Sequence, residues 1–438
     1  MSAPRPTVPW PVVALFAAGY LAPYLLPTVV GRLDAGLPLS ATRAGAVGSA
    51  LLLGSACAGF LLASRVERIG ARRLARLGLA LAVLGYGGAA LAGDVPAVVA
   101  GAVLGGLGSG AVTTVAATRI AAQPDPHRTS TLGLLAVSAL AGAVYLTVPH
   151  LGAGHGQPLA AIALTALAVW PLTGRLPDRT ATARPRAEDR DPLPHLRSGL
   201  VLAAAMPCWS LVQNSLWGVS GRIGLTQARL SEAAVGVVFA VALGAGLMGV
   251  LGASALGARL GRAAPVGVGT VLIAVCVVAS ASATGPVSFA AGEIAWNALY
   301  PIVLSYLIGL AASLDRRGRW AVLVGSASSL GTAAGPLTGS VLCARAGFPV
   351  MGMVLGAGLL VVAVPMTAVA LHTGGRALGT GGRPSLTGGV RRRGGAAAQQ
   401  PVAVVEIPVQ APAPPVQGAY DTAGPRPAGV APGPGPGN

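Results

Sequence analysis

Residues 63–73 read ASRVERIGARR and form a charged segment between two long apolar stretches. A shorter copy, ARLGR, lies at residues 258–262, so that Arg68 matches Arg259 and Gly70 matches Gly261 at an offset of 191 (259 − 68). Further matches at this offset are Leu39 with Leu230, Ser40 with Ser231, Gly45 with Gly236 and Gly78 with Gly269. Each matched serine is expected to cap the helix after it. A constant offset across half the chain indicates an internal duplication.

The stretches around these segments are long enough to cross a membrane. Of the 438 residues, 53% are hydrophobic and 10% are charged, and the mean hydropathy is +0.69. One crossing needs about 20 apolar residues, and only helices satisfy the backbone in lipid when no barrel-type alternation is present. The sequence therefore predicts an all-α integral membrane protein with 12 transmembrane helices, in the runs 8–30, 44–64, 74–93, 96–118, 130–150, 157–174, 198–219, 232–256, 264–283, 285–312, 320–343 and 347–371.

The arginines orient the chain. All 30 basic residues are arginine, and positive residues collect in short cytoplasmic loops. With twelve crossings and a cytoplasmic N-terminus, 25 arginines fall inside and five outside, namely Arg32, Arg43, Arg222, Arg229 and Arg345. We therefore expect both termini in the cytoplasm. The net charge of +17 follows from this topology and argues against a nucleic-acid partner.

Composition divides the chain into four parts. Residues 1–174 and 198–371 each hold six predicted helices, which gives two pseudo-symmetric six-helix bundles. Residues 175–197 form a polar, arginine-rich interruption and are expected to be a cytoplasmic linker. Residues 372–438 are rich in Gly, Pro and Ala, and we expect a disordered cytoplasmic tail.

The segment at 63–73 resembles the GxxxDRxGxRR signature of the major facilitator superfamily, with Ala63 replacing the first Gly and Glu67 replacing the Asp. The second copy has lost the acid. The resemblance spans the helical region and implies the major facilitator fold, with a cavity between the two bundles near the membrane midplane.

In that family this loop holds the cytoplasmic gate closed while the cavity is open to the outside. The resemblance assigns the gating role to Glu67, Arg68, Gly70, Arg72, Arg73, Arg259 and Gly261. The alternative is a positive cluster that only orients the chain.

A second pattern lies in the eleventh run, where Gly331, Gly335, Pro336 and Gly339 resemble the GxxxGPxxGG stretch of drug antiporters. That stretch belongs to the fifth helix in those proteins, and the fifth run here has no Gly-Pro pair. We therefore expect these residues to pack helices closely rather than to define the subgroup.

One acid lies deep inside an apolar run. Glu293 is about eight residues into the tenth run, where a carboxylate costs about 2.5 to 3.5 kcal/mol by insertion scales. Asn297 and Tyr300 follow at i+4 and i+7, on the same helical face. We hypothesise that Glu293 binds a coupling proton, or a cationic group of the substrate, in the central cavity. The alternative is a structural carboxylate bonded to a neighbouring helix.

Other polar or aromatic residues fall on helices that line the cavity in this family, which are helices 1, 4, 7 and 10. They are Tyr20 and Tyr24 in the first run, and Trp209, Gln213, Asn214 and Trp217 in the seventh. A cavity with one acid, few basic residues and several aromatic rings suits a neutral or cationic amphipathic organic molecule. The alternative for each residue is packing inside the bundle.

The predicted function is secondary active transport of a small organic molecule by alternating access, coupled to protons, with export favoured slightly over import. An arginine-only set of basic residues with abundant Ala and Gly is typical of a GC-rich bacterial genome, so we expect the bacterial inner membrane as the location, with the lipid bilayer as the surroundings. We also expect the protein to be a monomer. A transport-inactive sensor or scaffold is the first alternative.

An integral-membrane enzyme is the weaker alternative, because the five histidines are scattered without paired acids. The four cysteines are widely spaced and form no CxxC pair. We therefore expect no metal site and no cofactor.

Overall fold

The described part of the chain is entirely helical in its regular structure. The computed structural model describes residues 9–152, 154–176, 192–256, 261–315 and 317–379, with side chains up to residue 373. Most of the predicted linker, residues 177–191, and the predicted tail from residue 380 onward lie outside the described residues.

The first half contains eight helices. They are α1 (Trp10–Tyr24), α2 (Leu26–Gly36), α3 (Ala41–Leu62), α4 (Val66–Ile69), α5 (Ala71–Leu91), α6 (Val95–Ala121), α7 (Pro126–Thr147) and α8 (Gly156–Val169). Helices α1 and α2 form one crossing that bends by 47°. Pro23 and Pro27 flank the bend, and each removes a backbone donor that an unbroken helix would use.

The second half contains α9 (Leu196–Arg222), α10 (Glu232–Leu256), α11 (Ala263–Ala281), α12 (Pro286–Leu314) and α13 (Arg319–Gly379). Helix α13 has 61 residues but is two helices joined at Gly347, where φ is 79° and ψ is 168°. Eleven membrane-crossing units are found in the described residues when α1 and α2 count as one. Division of α13 at Gly347 makes twelve, which agrees with the predicted all-α membrane fold.

The duplicated residues have duplicated geometry. Ser40 Oγ accepts a hydrogen bond from the backbone N–H of Arg43, and Ser231 Oγ accepts one from Ala234. Both predicted helix caps are therefore confirmed. Gly70 and Gly261 both have positive φ, 92° and 64°, a region that side chains other than glycine rarely enter. The matched positions thus share a structural requirement as well as a residue type.

Glycines let the central helices of the first half approach closely. Gly106 faces the backbone of α3 at Leu51, and Gly108 faces the backbone of α5 at Gly78. Helix α6 therefore lies between α3 and α5, with backbone nearly touching backbone on two sides.

A similar contact forms in the second half between α9 and the first part of α13. Gly331 lies against the backbone at Pro207, and Gly335 and Gly339 lie against Asn214 and Ser215. Pro336 lies between the two halves, against Gly218 of α9 on one side and against Gly45 and Gly48 of α3 on the other. The glycine stretch of the eleventh run thus packs on α9, and its proline contacts the first half.

The two halves meet along three pairs of helices. These pairs are α3 with α13, α7 with α10, and α2 with α9. In the α7–α10 pair, Gly236 lies against the backbone of Tyr145, and the rings of Tyr145 and Phe239 have centroids 5.1 Å apart. The space that these pairs leave between the halves is the central cavity.

We predict that Gly106→Ala lowers the free energy of unfolding by about 1 to 3 kcal/mol, because the added methyl group would overlap the carbonyl oxygen of Leu51. Thermal unfolding in detergent, followed by tryptophan fluorescence, measures the change. Gly244→Ala is the control, since no atom lies within 4 Å of its added methyl group. An equal loss of stability in both variants would contradict close α3–α6 packing.

Candidate functional site

A cavity of about 1310 Å³, including the open solvent at its mouth, lies between the two halves. Helices from both halves line it: α1, α3, α6 and α7 from the first, and α9, α10, α12 and α13 from the second. The predicted site residues that line it are Tyr20, Tyr24, Gln213, Asn214, Trp217, Asn297 and Tyr300. The structure therefore brings residues of both duplicated halves together at one site.

Trp209 does not line the cavity. Its side chain is fully buried and stacks on Tyr300, with ring centroids 5.2 Å apart and an angle of 16° between the planes. Trp209 therefore follows the alternative of packing inside the bundle, because its ring fills the space behind Tyr300.

Glu293 also lies outside the cavity lining, contrary to the expected position of its carboxylate. The side chain is fully buried, and its Oε1 accepts hydrogen bonds from Ser220 of α9 at 2.8 Å and from Ser280 of α11 at 2.5 Å. Its Oε2 has no hydrogen-bond partner within the described residues. The carboxylate thus joins α9, α11 and α12 inside the second half, while Asn297 one turn later reaches the cavity.

Trp296 lines the cavity and is not among the residues predicted from the sequence. Its indole N–H donates to Gln213 Oε1, and its ring lies 5.7 Å from Trp217 and 6.0 Å from Tyr300, centroid to centroid. The three rings form an aromatic wall on the second half. The signal that could have revealed Trp296 is its spacing, one residue before Asn297 and four before Tyr300.

The lining carries no formal charge among the described residues. Its polar groups are amides, hydroxyls and phenols, and the rest of the surface is aromatic, aliphatic or glycine. Such a surface can bind a ligand by stacking and by hydrogen bonds, but it offers no fixed ion to pair with a charged ligand.

On one side of the cavity, charged residues join the halves. We call this side the outer face, after the orientation that the arginine distribution predicts for the loops that follow α2, α7 and α9. Arg32 of α2 is 95% buried and pairs with Glu232 of α10. The guanidinium also donates to the backbone carbonyls of Val148 and Gly152. One side chain therefore binds the second half and an outer loop of the first half together.

A second ion pair crosses the same face with the charges exchanged. Arg222 Nε of α9 lies 3.2 Å from Asp34 Oδ2 of α2, and the Arg222 guanidinium lies 5.7 Å from the ring centroid of Phe348. Each half thus supplies one arginine and one acid.

Further polar contacts between the halves lie on the outer side of the cavity too, from Trp217 Nε1 to the Pro23 carbonyl and from the Leu337 N–H to Ser49 Oγ. We refer to the two ion pairs, Arg32–Glu232 and Arg222–Asp34, as the outer gate.

The outer gate was not apparent from the sequence. The first predicted run ends at residue 30, because Arg32 is charged, whereas α2 continues to Gly36. The available signal was the rarity of arginine outside: Arg32 and Arg222 are two of only five, and acids lie close by in sequence to Arg32.

The charged loop at residues 63–73 lies on the opposite, inner side and bonds within its own half. Arg119 Nη2 of α6 lies 3.6 Å from Glu67 Oε1, and Arg72 donates to the Leu176 carbonyl at 3.0 Å. Arg68 and Arg73 are exposed, while Arg259 lies outside the described residues. The Arg119 side chain is 99% buried, a position that the sequence did not suggest.

Asp315 fixes the turn between α12 and α13 on the inner side. Its carboxylate accepts from Arg319 Nε at 2.7 Å and from the backbone N–H of Arg317 at 3.1 Å. Burial disfavours the charge, but the bonds and charge of Arg319 outweigh it and hold the pKa of Asp315 below its usual value. This bond therefore stabilises the turn above the ordinary pKa of an aspartate and is lost as the pH falls through the lowered one.

The arrangement of helices is that of solved major facilitator transporters. The chain matches the human organic anion transporter MFSD10 (TETRAN) with a TM-score of 0.61 and 18% identity, over 83% of this chain and 100% of that one. It matches a D-xylose-proton symporter with a TM-score of 0.66 and 16% identity, over 82% and 97%. It also matches the xylose transporter XylE from E. coli, in a partially occluded inward-open conformation, with a TM-score of 0.64 and 13% identity over the same shares.

No protein-family model and no curated protein sequence matches the chain. The solved structures show that the chain has the major facilitator fold, as the loop at 63–73 predicted.

We predict that Arg32→Gln opens the outer gate more than Asp34→Asn does. Loss of Arg32 leaves the buried Val148 carbonyl without its donor, at about 1 to 3 kcal/mol, whereas loss of the partly exposed Arg222–Asp34 pair costs about 1 kcal/mol. A single cysteine at the cavity position Ser329, in a background without the four native cysteines, is labelled in cells with a membrane-impermeant maleimide. Labelling from outside should increase in the order unchanged gate, Asp34→Asn, Arg32→Gln.

Thr165→Val, on α8 and away from the cavity and the gate, is the control and should leave labelling unchanged. Equal labelling in all variants would show that the ion pairs do not close the outer face.

Proposed function

We propose that this protein is a major facilitator permease that carries a small organic molecule across a membrane by alternating access. The observation that supports this most directly is a cavity that is lined by both halves and has the outer gate across one face. In this proposal the bundles 1–174 and 198–371 rock about the cavity, with residues 175–197 as the linker between them and 372–438 as a cytoplasmic tail.

The loop at 63–73 would then form the inner counterpart of the outer gate. With the outer gate closed, Glu67 pairs with Arg119 of its own half. When the inner side closes, the resemblance to the family motif gives Glu67 and the nearby arginines contacts with the second half. The two gates would thus close alternately. Glu67 and the nearby arginines would contact the second half only when the inner side is closed, and the two outer ion pairs would join the halves only when the outer side is closed.

We further propose that Glu293 binds the coupling proton. A buried carboxylate without a cation beside it is costly as an anion, and no described arginine or histidine pairs with Glu293. Ser220 Oγ lies within hydrogen-bond distance of both Glu293 Oε1 and the Leu216 carbonyl. Its single proton can serve either acceptor, and because a protonated carboxyl accepts more weakly than a carboxylate, protonation of Glu293 would favour donation from Ser220 to Leu216 instead.

This exchange would reach the outer gate directly, because Ser220 lies two residues before Arg222 on α9. A π-helical turn, Ile223–Gln227, follows at once, and such turns are frequent at functional sites. Gln227 donates to the carbonyls of Ala281 and Ala283 at 2.8 Å, which ties the end of α9 to the end of α11. The proton and the substrate would therefore occupy separate sites that are linked through α9.

The remaining parts of the proposal follow from the sequence. The composition favours a bacterial inner membrane, the arginine distribution places both termini in the cytoplasm, and export is favoured over import because many bacterial permeases of this type export. We propose that the protein acts as a monomer. The substrate is a neutral or cationic amphipathic molecule, because the cavity lining is rich in aromatic rings and carries no basic residue. The fold does not itself select the substrate, since the similar structures are an organic anion transporter and a D-xylose-proton symporter.

We predict that Glu293→Gln abolishes accumulation driven by a pH gradient and retains exchange between labelled and unlabelled substrate. Proteoliposomes are loaded with a panel of radiolabelled aromatic amines, alcohols and acids to identify a transported compound, and both modes are then measured with it. Asp94→Asn is the matched control, because Asp94 caps α6 at the exposed outer end and asparagine caps equally well.

Full gradient-driven accumulation by Glu293→Gln would eliminate the coupling role. If no compound moves faster than in protein-free liposomes, the transport proposal itself fails.

A further inference from the structure

Most nitrogen donors of the cavity lining donate to acceptors of the protein itself. Both indole N–H groups of its tryptophans are bonded, Trp217 to the Pro23 carbonyl at 3.1 Å and Trp296 to the side-chain oxygen of Gln213. An indole has no acceptor, so these rings present only their π faces to a ligand.

The two asparagines of the cavity are bonded in the same sense. Asn214 Nδ2 donates to the Ser210 carbonyl at 3.0 Å and to Thr332 Oγ1 at 3.2 Å, and Asn297 Nδ2 donates to the Glu293 carbonyl at 3.0 Å. Neither Oδ1 atom has a hydrogen-bond partner within the described residues. Both amides are therefore anchored by their nitrogen atoms, which leaves the oxygens to accept from a ligand.

Several hydroxyl groups repeat this arrangement. Thr113 and Thr114 donate to the Gly110 carbonyl at 2.9 and 2.7 Å, and Ser329 donates to the Gly325 carbonyl at 3.2 Å. Each keeps its oxygen lone pairs as acceptors. A clear exception is Gln213 Nε2, a buried donor without a described partner, and other hydroxyls, such as that of Ser55, can rotate to donate or accept.

The lining therefore combines acceptor oxygens, π faces and no formal charge. A carboxylate ligand would bring further acceptors to acceptors, and its oxygens would lose water for few donors, namely Gln213 Nε2 and the hydroxyls that can rotate. An alcohol supplies one donor. An ammonium group supplies three donors and no acceptor, and aromatic faces attract its charge.

We propose that the cavity binds a primary organic ammonium ion that carries an apolar or aromatic group, with the ammonium at the acceptor oxygens of Asn214 and Asn297 and the apolar group on the aromatic wall. This inference rests on the proposed transport function, and it narrows the substrate class to one of the two types given there. The membrane carboxylate Glu293 has no part in it, because that group does not line the cavity.

The test uses four probes that share a phenylethyl group and differ in the head group. They are protonated 2-phenylethylamine, 2-phenylethanol, 3-phenylpropanoate and trimethyl(2-phenylethyl)ammonium. Binding to the detergent-solubilised protein is followed by tryptophan fluorescence, because Trp217 and Trp296 line the cavity. We expect the primary amine to bind about tenfold more tightly than the alcohol and the trimethyl compound, and the carboxylate not to saturate.

Tighter or equal binding of the carboxylate would overturn the proposal. Equal binding of the trimethyl compound would show that charge on the aromatic wall suffices and that the acceptor oxygens do not select the ligand. Absence of saturable binding by the amine also contradicts it.

Substitutions at the two asparagines locate the site. Asn297→Leu and Asn214→Leu should weaken amine binding about tenfold each, whereas Thr165→Val, which removes a hydroxyl on α8 far from the cavity, should not. Because a leucine could disturb packing, Asn297→Asp provides a second test at equal size. The added charge should tighten amine binding and leave phenylethanol unchanged, and an unchanged amine affinity would contradict the proposed position of the ammonium group.

The assays separate this inference from the proposed function. Amine binding without any transport in proteoliposomes would reject the permease and keep the ligand class. Transport of a carboxylate without amine binding would keep the permease and reject the ligand class.

Discussion

The closed outer face depends on the hydrogen bonds and the ion pair of one buried arginine, Arg32, at the edge of the membrane. Arg32 is surrounded by backbone carbonyls of its own half and by Glu232 of the other, so its burial is tolerable only while the two halves touch on the outer face. The reciprocal pair Arg222–Asp34 adds a weaker link beside it. The outer face is therefore closed by ion pairs between named residues. When the halves separate, Arg32 loses Glu232, and water is the natural replacement for that partner.

One helix connects the outer gate to the buried carboxylate Glu293 and to the central cavity. Helix α9 carries Arg222 at the gate, Ser220 at the buried carboxylate, and Asn214 and Trp217 at the cavity. A shift of the outer end of α9 would change the contacts at all three places. In the proposed mechanism this helix would link the proton on Glu293, the outer gate and the ligand, while the uncharged cavity lining would select the ligand.

The sequence revealed the fold more completely than the site. Apolar runs, arginine placement and the motif at 63–73 predicted twelve helices and the major facilitator fold, because these signals depend on the membrane itself. Seven predicted residues line the cavity, but Glu293 and Trp209 do not, since periodicity gives the face of a helix and not the neighbour that covers it. The outer gate escaped notice because its partners are about 190 to 200 residues apart, and only tertiary structure shows that the charge of Arg32 is compensated.

Alternation between the two faces is the central claim, and paired distance measurements test it most directly. Spin labels at the exposed positions Ala35 and Thr226 report the outer face, and labels at Ser64 and Ala264 report the inner face. In lipid, between acidic and neutral pH and with or without bound ligand, the account predicts that one distance lengthens whenever the other shortens. Distances that stay fixed, or that lengthen together, would contradict it.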